Sequence, residues 1–385
     1  MGASLAGATA AATLRKDGFE GDVVLIGAEP RPPYERPQLS KSYLRGETVM
    51  DDLLVRPEGF WADHGVELRT GSRVTSVDTD RRLVQLEGGE DLPFDRLLLA
   101  TGCRNRALRI PGADLEGVHL LRTVDDCDRL RAEASVGRTA VIGGMSFIGS
   151  EVAASLRQMG LDVAAVVSDA YPLQRVFGDA VGRALDAIHR EHGVRLVPGD
   201  RVEAIEGDGR VDAILTAKGE RLACDLAVLA MGVEPAAELT ETTPIEVDDG
   251  IVVDDRCRTN VEGVFAAGDV ASSHHPRLGR RVRVEHWQNA RRQGRAAARS
   301  MLGKGGPFEE VPWFWSDQYE HELQYAGFHG EWDEVVVREG DGGLAVFYIG
   351  GGVLQAAVAL DLGLEVRRAM PFIAERAPIR SLPLG

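Results

Sequence analysis

The sequence predicts an α/β chain: two doubly wound units on parallel sheets, followed by a smaller α+β domain. Three observations predict it. Short buried strands alternate with helical runs. Two glycine turns of the form G-x-S-x-x-G recur about 140 residues apart, which suits a duplicated unit and not a short repeat. After Pro307 the character changes, and Trp313, Phe314, Trp315, Tyr319, Tyr325, Phe328 and Trp332 gather the aromatics in a β-rich region ending near Ile379.

The elements follow in order. Gly2-Ala3-Ser4-Leu5-Ala6-Gly7 opens a run of small helix formers through Leu14, and Gly18 and Gly21 break it. Val23 to Ile26 is a short buried strand, with Glu29 just beyond. Leu97 to Leu99 is a second buried strand, turning at Ala100-Thr101-Gly102. Thr139 to Gly143 is a third, running into Gly144-Met145-Ser146-Phe147-Ile148-Gly149 and a helix from Glu151 to Met159. Val163 to Val167 closes that unit. Leu226 to Gly232 repeats the form of the Leu97 strand. Val264 to Asp269 is the last strand and turn, and a helix follows from about Asn289 to Leu302.

Bulk properties exclude several classes. The 385 residues carry 44% hydrophobic content, enough for two or three globular domains. No window of about 18 apolar residues is present, so no membrane span is expected. Met1-Gly2-Ala3 shows no basic-then-apolar leader, and a cytoplasmic location is expected. The net charge of −16 argues against nucleic-acid or anionic-membrane binding. Cys103, Cys127, Cys224 and Cys257 are far apart, so they supply neither a zinc ribbon nor a local dithiol. Electrons therefore have no thiol pair to visit.

Each turn carries a chemical meaning. A strand, a glycine turn and a helix start point backbone N–H groups and a positive helix end at a pyrophosphate. This is the Rossmann arrangement. In the first turn Ser4 replaces the middle glycine, and Ser is small enough for close phosphate approach. Glu29 lies 22 residues beyond Gly7, where a carboxylate can accept from ribose hydroxyls. The strand expected before Gly2 would precede Met1, and its loss would leave two neighbours unpaired. Either the chain starts late or the fold tolerates the gap, and the first reading is preferred. In the second turn Ser146 makes the same substitution. Val167 stands where the acid is expected, with Ser168 and Asp169 next, and nothing basic follows to receive a 2′-phosphate. Gly268-Asp269 ends a strand as a turn that a ribityl hydroxyl could meet, or as an ordinary Asp turn.

Two further patches stay open. Asp317 with Trp313-Phe314-Trp315 reads as a flavin or partner surface, or as core packing. Arg277, Arg280, Arg281, Arg283, Arg291, Arg292, Arg295 and Arg299 read as a docking face for an acidic partner, or as a solvated face.

Longer strings carry a resemblance. Tyr34-Glu35-Arg36-Pro37-Gln38-Leu39-Ser40-Lys41, Ala100-Thr101-Gly102, Leu121-Arg122-Thr123, Phe147-Ile148-Gly149-Ser150-Glu151, Ala267-Gly268-Asp269, Glu285-His286-Trp287-Gln288-Asn289-Ala290 and Pro312-Trp313-Phe314-Trp315-Ser316-Asp317-Gln318-Tyr319 resemble the signature series of NADH-dependent ferredoxin reductases. These serve bacterial cytochrome P450 and Rieske oxygenase systems and are similar to apoptosis-inducing-factor-type flavoproteins. The resemblance implies two Rossmann-like dinucleotide-binding domains, one for FAD and one for NAD, the NAD domain inserted in the FAD domain. The implied division is 1–106 and 231–304 for FAD, 107–230 for NAD, and 305–385 for a C-terminal α+β domain.

The resemblance also implies roles. Gly2, Ser4, Ala6 and Gly7 would face the FAD pyrophosphate, and Glu29 its adenosine ribose. Arg36 and Lys41 would line the FAD, Lys41 beside the flavin N5 and paired with Glu151; these two form the catalytic pair. Val74 and Arg122 would contact the adenine side and the isoalloxazine surroundings. Thr101, Gly102, Gly268, Glu285 and His286 join the FAD set, Asp269 binds the ribityl chain, and the backbone of Trp287 meets the pyrimidine end. Trp315 would sit near the exposed ring edge where a ferredoxin docks. Gly144, Phe147, Ile148, Gly149, Glu151, Asp169 and Gly232 would hold NAD.

The activity so implied is electron transfer from NADH through FAD to a ferredoxin-type iron–sulfur protein, with NADPH not excluded. The alternatives are an FAD-binding protein with a decayed NAD site and an interaction role, motivated by Val167, and a flavin oxidase or peroxidase.

Overall fold

The computed structural model describes residues 1–328, 330–340 and 342–378. Ile379, where the sequence places the end of the β-rich region, lies outside the described residues. The chain separates into two compact units. The first comprises Met1–Glu35, Met50–Arg104 and Glu234–Trp313; the second Arg36–Val49, Asn105–Val233 and Phe314–Gly385.

The first unit starts with the helix Leu5–Lys16. Five alanines favour it, and Arg15 and Lys16 in its last turn oppose the negative end of its dipole. It packs on the helix Trp287–Met301 so closely that a Cβ at Gly294 would lie 2.3 Å from the Ala6 carbonyl oxygen. Strand Val23–Ile26 runs parallel to Val66–Arg69, and Leu97–Leu99 parallel to Val264–Ala266. The neighbours expected to be left unpaired meet through the first two residues. The Met1 ammonium donates to Leu98 O (2.9 Å), Ala100 N donates to Met1 O (2.9 Å), and Gly2 N donates to Ile26 O (2.8 Å). One apolar core joins the helices to Leu25, Leu98, Phe265 and Trp61.

The second unit holds a five-stranded parallel sheet in the order Arg195–Pro198, Asp162–Val167, Thr139–Gly143, Leu226–Leu229, Val118–His119. Chain order reverses beside Thr139–Gly143, and the second glycine turn leaves the sheet there. Ligands of open α/β sheets bind at such a reversal, outside the carboxyl ends of the strands. Its helix spans Phe147–Gln158, four residues earlier than the apolar run suggests, because the turn itself opens the helix. A second five-stranded sheet follows in the order Trp313–Gln318, His321–Gly327, Val353–Leu360, Gly343–Gly350, Glu334–Gly340, with the helix Gly363–Glu375 after it. Phe314, Tyr325 and Tyr348 pack with Phe177, Leu185 and Ile188, so much of the aromatic cluster is core.

Candidate functional site

In the first unit the expected cradle residues converge. The backbone at Gly2 has φ +98°, and a Cβ there would meet the Ala100 carbonyl oxygen at 2.1 Å. A Cβ at Gly7 would meet the Gly2 carbonyl oxygen at 2.1 Å, and one at Gly268 would meet Ala6 at 3.0 Å. The first turn, the Ala100–Gly102 segment and the Gly268–Asp269 turn therefore share one spot. Ser4 is the N-cap of its helix, yet its side chain makes no capping bond. The helix amides there are left for an anion.

The surroundings fix the remaining groups. Tyr34 Oη donates to Glu29 at 2.5 Å, and Thr101 Oγ1 donates to Ala236 O at 2.6 Å. Gly268 N donates to the buried Gln293 Oε1 at 2.9 Å, fixing the Gly-Asp turn. Arg283 ion-pairs with Glu285 and donates to Asp269 O at 3.4 Å. His286 is the N-cap of the helix that Trp287 opens, and burial pulls its pKa down to about 4. Burial raises the Glu35 carboxyl above its ordinary range, against a hydrogen bond from Trp287. Val74 opens the antiparallel strand Val74–Asp78, in a sheet of its own, and packs against the apolar cluster that holds Leu97, Leu99 and Ala266.

The second unit repeats the cradle. A Cβ at Gly149 would lie 1.9 Å from the Gly144 carbonyl oxygen, and Ser146 caps its helix without a capping bond. Phe147 packs edge-on against Phe314 at 4.9 Å between ring centroids, while Ile148 is exposed. Gly232 lies beyond the strand Leu226–Leu229, at the same carboxyl edge as the turn. The sequence places Val167 where the acid is expected. Val167 is the last residue of its strand, and Asp169 follows by two residues. Glu29 follows the end of its own strand, Ile26, by three. A carboxylate thus follows each strand end, by two residues here and by three in the first unit.

Lys41, Glu151, Arg36, Arg122 and Trp315 all belong to the second unit. Lys41 Nζ lies 2.9 Å from Glu151 Oε1, and both residues are buried. Lys41 also donates to Pro37 O at 3.2 Å. Sequence reasoning missed two serines here. Ser316 Oγ donates to Glu151 Oε1 at 2.6 Å, and Ser40 Oγ donates to Glu151 Oε2 at 2.5 Å. Ser40 precedes Lys41 and Ser316 follows Trp315, but nothing local marks either as a donor to Glu151. Trp315 Nε1 donates to Asp317 Oδ2 at 3.1 Å. Burial raises the Asp317 carboxyl above its ordinary range, against the pull of Lys41 and the Trp315 bond. Arg36 donates to Arg122 O.

Two other patches resolve. Half of the arginine stretch is ion-paired within its own unit: Arg277 pairs with Glu309 (3.0 Å), Arg283 with Asp249 (3.1 Å), Arg299 with Asp17 (2.9 Å) and Arg292 with Glu310. This weakens the docking-face reading. The four cysteines are free and buried. Burial pushes the Cys127 and Cys224 thiols up to about 12 and the Cys257 thiol higher still, so these sulfurs stay protonated and inert.

Comparison with known proteins fits this geometry. The family model described as pyridine nucleotide-disulphide oxidoreductase matches residues 1–294. The chain belongs to that family. A second family model, described as reductase C-terminal, matches residues 313–384. Among relatives of this oxidoreductase, rhodocoxin reductase of Rhodococcus erythropolis is 40% identical over 88% of this chain and 79% of its own. The ferredoxin reductase component of chlorobenzene dioxygenase from Cupriavidus sp. (strain PS12) is 37% identical over 100% of this chain and 94% of its own. The structure of a covalent putidaredoxin reductase–putidaredoxin complex superposes with TM-score 0.94 at 34% identity, covering 98% of this chain and 92% of that one. The oxidoreductase fold expected from the sequence is the fold observed.

Proposed function

We propose that this chain is a flavoprotein ferredoxin reductase, passing electrons from NADH through FAD to a ferredoxin-type iron–sulfur protein that serves a cytochrome P450 or Rieske oxygenase. The observation that carries it is full-length likeness to proteins named for that task, across both the oxidoreductase and the C-terminal regions. FAD, when bound, supplies the conversion of a two-electron hydride donor into single-electron deliveries.

The residues present fit both nucleotides. The two turns have no room for a Cβ at Gly2, Gly7 or Gly149, and each opens a helix whose cap side chain is not spent on that helix. Gly2, Ser4, Ala6 and Gly7 would hold the FAD pyrophosphate, with Glu29 on the adenosine ribose and Asp269 on the ribityl chain. Gly144, Phe147, Ile148, Gly149, Asp169 and Gly232 would hold the pyridine nucleotide. Lys41 would place a positive charge at the flavin N5, and Glu151 would orient it through their 2.9 Å contact. No side chain has to act as nucleophile; position, field and water exclusion suffice. Asp169, two residues past its strand, weakens the motive for a decayed nucleotide site.

We also keep the division 1–106 with 231–304, 107–230 and 305–385 as our reading of the domains, and the cytoplasm as the location. Among the described residues no helix is long and apolar enough to cross a membrane.

Purified FAD-loaded protein mixed with NADH without oxygen is expected to lose its flavin absorbance, and added ferredoxin to become reduced. Persistent flavin colour at excess NADH rejects the reductase reading. Lys41→Ala is expected to slow that bleaching; an unchanged rate removes the N5 assignment.

A further inference from the structure

His189 is a buried imidazole on the helix Asp179–Glu191, outside both glycine turns. It stands in the middle of a polar chain that ends on Glu151. Its Nε2 lies 3.0 Å from Gln318 Oε1, Gln318 Nε2 lies 3.4 Å from Ser316 Oγ, and Ser316 Oγ lies 2.6 Å from Glu151 Oε1. On its other side, His189 Nδ1 lies 3.3 Å from Tyr319 Oη. Glu151, Ser316, Gln318 and His189 are all buried.

The carboxylate fixes the direction of the whole chain. A carboxylate only accepts, so the single Ser316 proton points at Glu151. Ser316 Oγ then accepts, which turns the Gln318 amide N–H groups toward it and the Gln318 carbonyl toward His189. His189 donates from Nε2, and its bare Nδ1 accepts from the Tyr319 hydroxyl. A neutral ring with its proton on Nε2 closes this chain, and burial favours the neutral ring by pulling its pKa down to about 4. Donors aligned head to tail polarise one another toward the acceptor.

The outer end of the chain is strained. Tyr319 and Glu320 alone join the neighbouring strands Trp313–Gln318 and His321–Gly327, and Tyr319 sits at φ +57°. That left-handed backbone favours glycine over a bulky residue. The Tyr319 ring stacks on His192, with centroids 3.6 Å apart and planes at 11°. Such strain persists where the surroundings fix it, and here they aim the hydroxyl at His189.

We propose that His189 is a positioning residue for Lys41, acting through Gln318 and Ser316 on the Glu151 oxygen that Lys41 contacts. The inference rests on the N5 reading of Lys41 in the preceding section. Lys41 has a long flexible side chain, and its 2.9 Å contact is with Oε1, the same oxygen that Ser316 holds. While His189 donates, the Gln318 carbonyl is occupied and the amide cannot turn over. Without that donor the amide is free to flip and present its carbonyl to Ser316. The carbonyl then competes with Glu151 for the one Ser316 proton. Oε1 loses its second donor, and the ammonium loses its fixed place.

The test uses the FAD-loaded full chain. Nitrogen-15 NMR of the wild-type histidine rings, with His189 assigned by its absence in His189→Gln, is expected to show a neutral ring protonated on Nε2. A proton on Nδ1 overturns the proposal, whether or not any other variant folds. His189→Leu and His189→Met, which cannot donate, are each expected to slow flavin reduction at saturating NADH by about two- to tenfold, the weight of one hydrogen bond, with the half-saturating NADH concentration unchanged. They are also expected to lower the flavin midpoint potential, because a positive charge held near N5 favours the reduced flavin. His189→Gln, whose amide can donate from the same place, is expected to restore most of the rate and the potential. On a Lys41→Met background, His189→Leu is expected to change neither one further. An unchanged rate in His189→Leu and His189→Met overturns the proposal, and so does a loss of equal size on the Lys41→Met background. Wild type that NADH does not bleach overturns the reductase reading itself. Wild type that bleaches no faster than Lys41→Met overturns the N5 reading, and the role of His189 with it.

Discussion

Ser316 and Lys41 bond to the same oxygen of Glu151, at 2.6 and 2.9 Å, while Ser40 bonds to the other. A buried carboxylate is thereby met by one cation and two hydroxyls. Such a group is tolerable in a protein interior only when its lone pairs are satisfied.

Ser316→Ala removes one of those donors and leaves the place of its hydroxyl empty. A stability loss of about 1–3 kcal/mol is expected, because a buried charged acceptor is left short of a partner. The urea midpoint measures it. Ser316→Thr, which keeps the hydroxyl, should restore most of the loss; equal loss in both variants would mean packing and not the hydrogen bond is responsible.

Glu151→Gln leaves the Lys41 ammonium buried without the carboxylate that contacts it. The expected cost is roughly 3–5 kcal/mol, the range for breaking a buried ion pair from one side. The double variant Lys41→Met with Glu151→Gln should recover much of it. A double-variant cycle in chemical denaturation reads the coupling, and additive losses would contradict it.

The two glycine turns can be disabled separately. Gly149→Ala forces a Cβ to within 1.9 Å of the Gly144 carbonyl oxygen, so the turn must open. A cost of about 1–3 kcal/mol is expected from overpacking. NADH affinity should fall by about two- to tenfold if half of that strain bears on the bound form. The flavin spectrum should persist. Gly7→Ala should show the reverse pattern, losing FAD first. Loss of both cofactors in both variants would argue against two separate cradles.

Acid should weaken the fold through histidines held neutral. Burial pulls His189 from 6.5 down to about 4, against the hydrogen bond to Gln318, and His286 behaves alike. The folded state then binds fewer protons than the unfolded chain between those values. Stability should be complete above pH 6.5 and fall as pH drops toward 4. Thermal unfolding across that window tests it. His189→Gln should flatten part of the slope; an unchanged slope would assign the loss to other groups.

Much of the fold was legible because its signals are local. Strand Val23–Ile26, strand Thr139–Gly143 and the helix after each glycine turn follow from apolar runs and turn chemistry within a few residues. The Lys41–Glu151 pair was legible only through long motif strings. The two serines on Glu151 were not, since they come from 111 and 165 residues away and no local pattern marks a shared acceptor. The spacing of Asp169 from its strand was hard to judge, because sequence does not fix the strand's end to the residue. Pairing of Met1 with Leu98 and Ala100 was likewise invisible, because backbone ladders leave no side-chain signature.

The four buried cysteines bear on how the molecule can be studied. With every cysteine thiol buried, a maleimide dye has no ready target on the folded chain. One cysteine placed at Val136, whose surface is 81% exposed, would then be a single attachment point for a fluorophore or an electrode tether. Background labelling should be negligible without stripping the native sulfurs first.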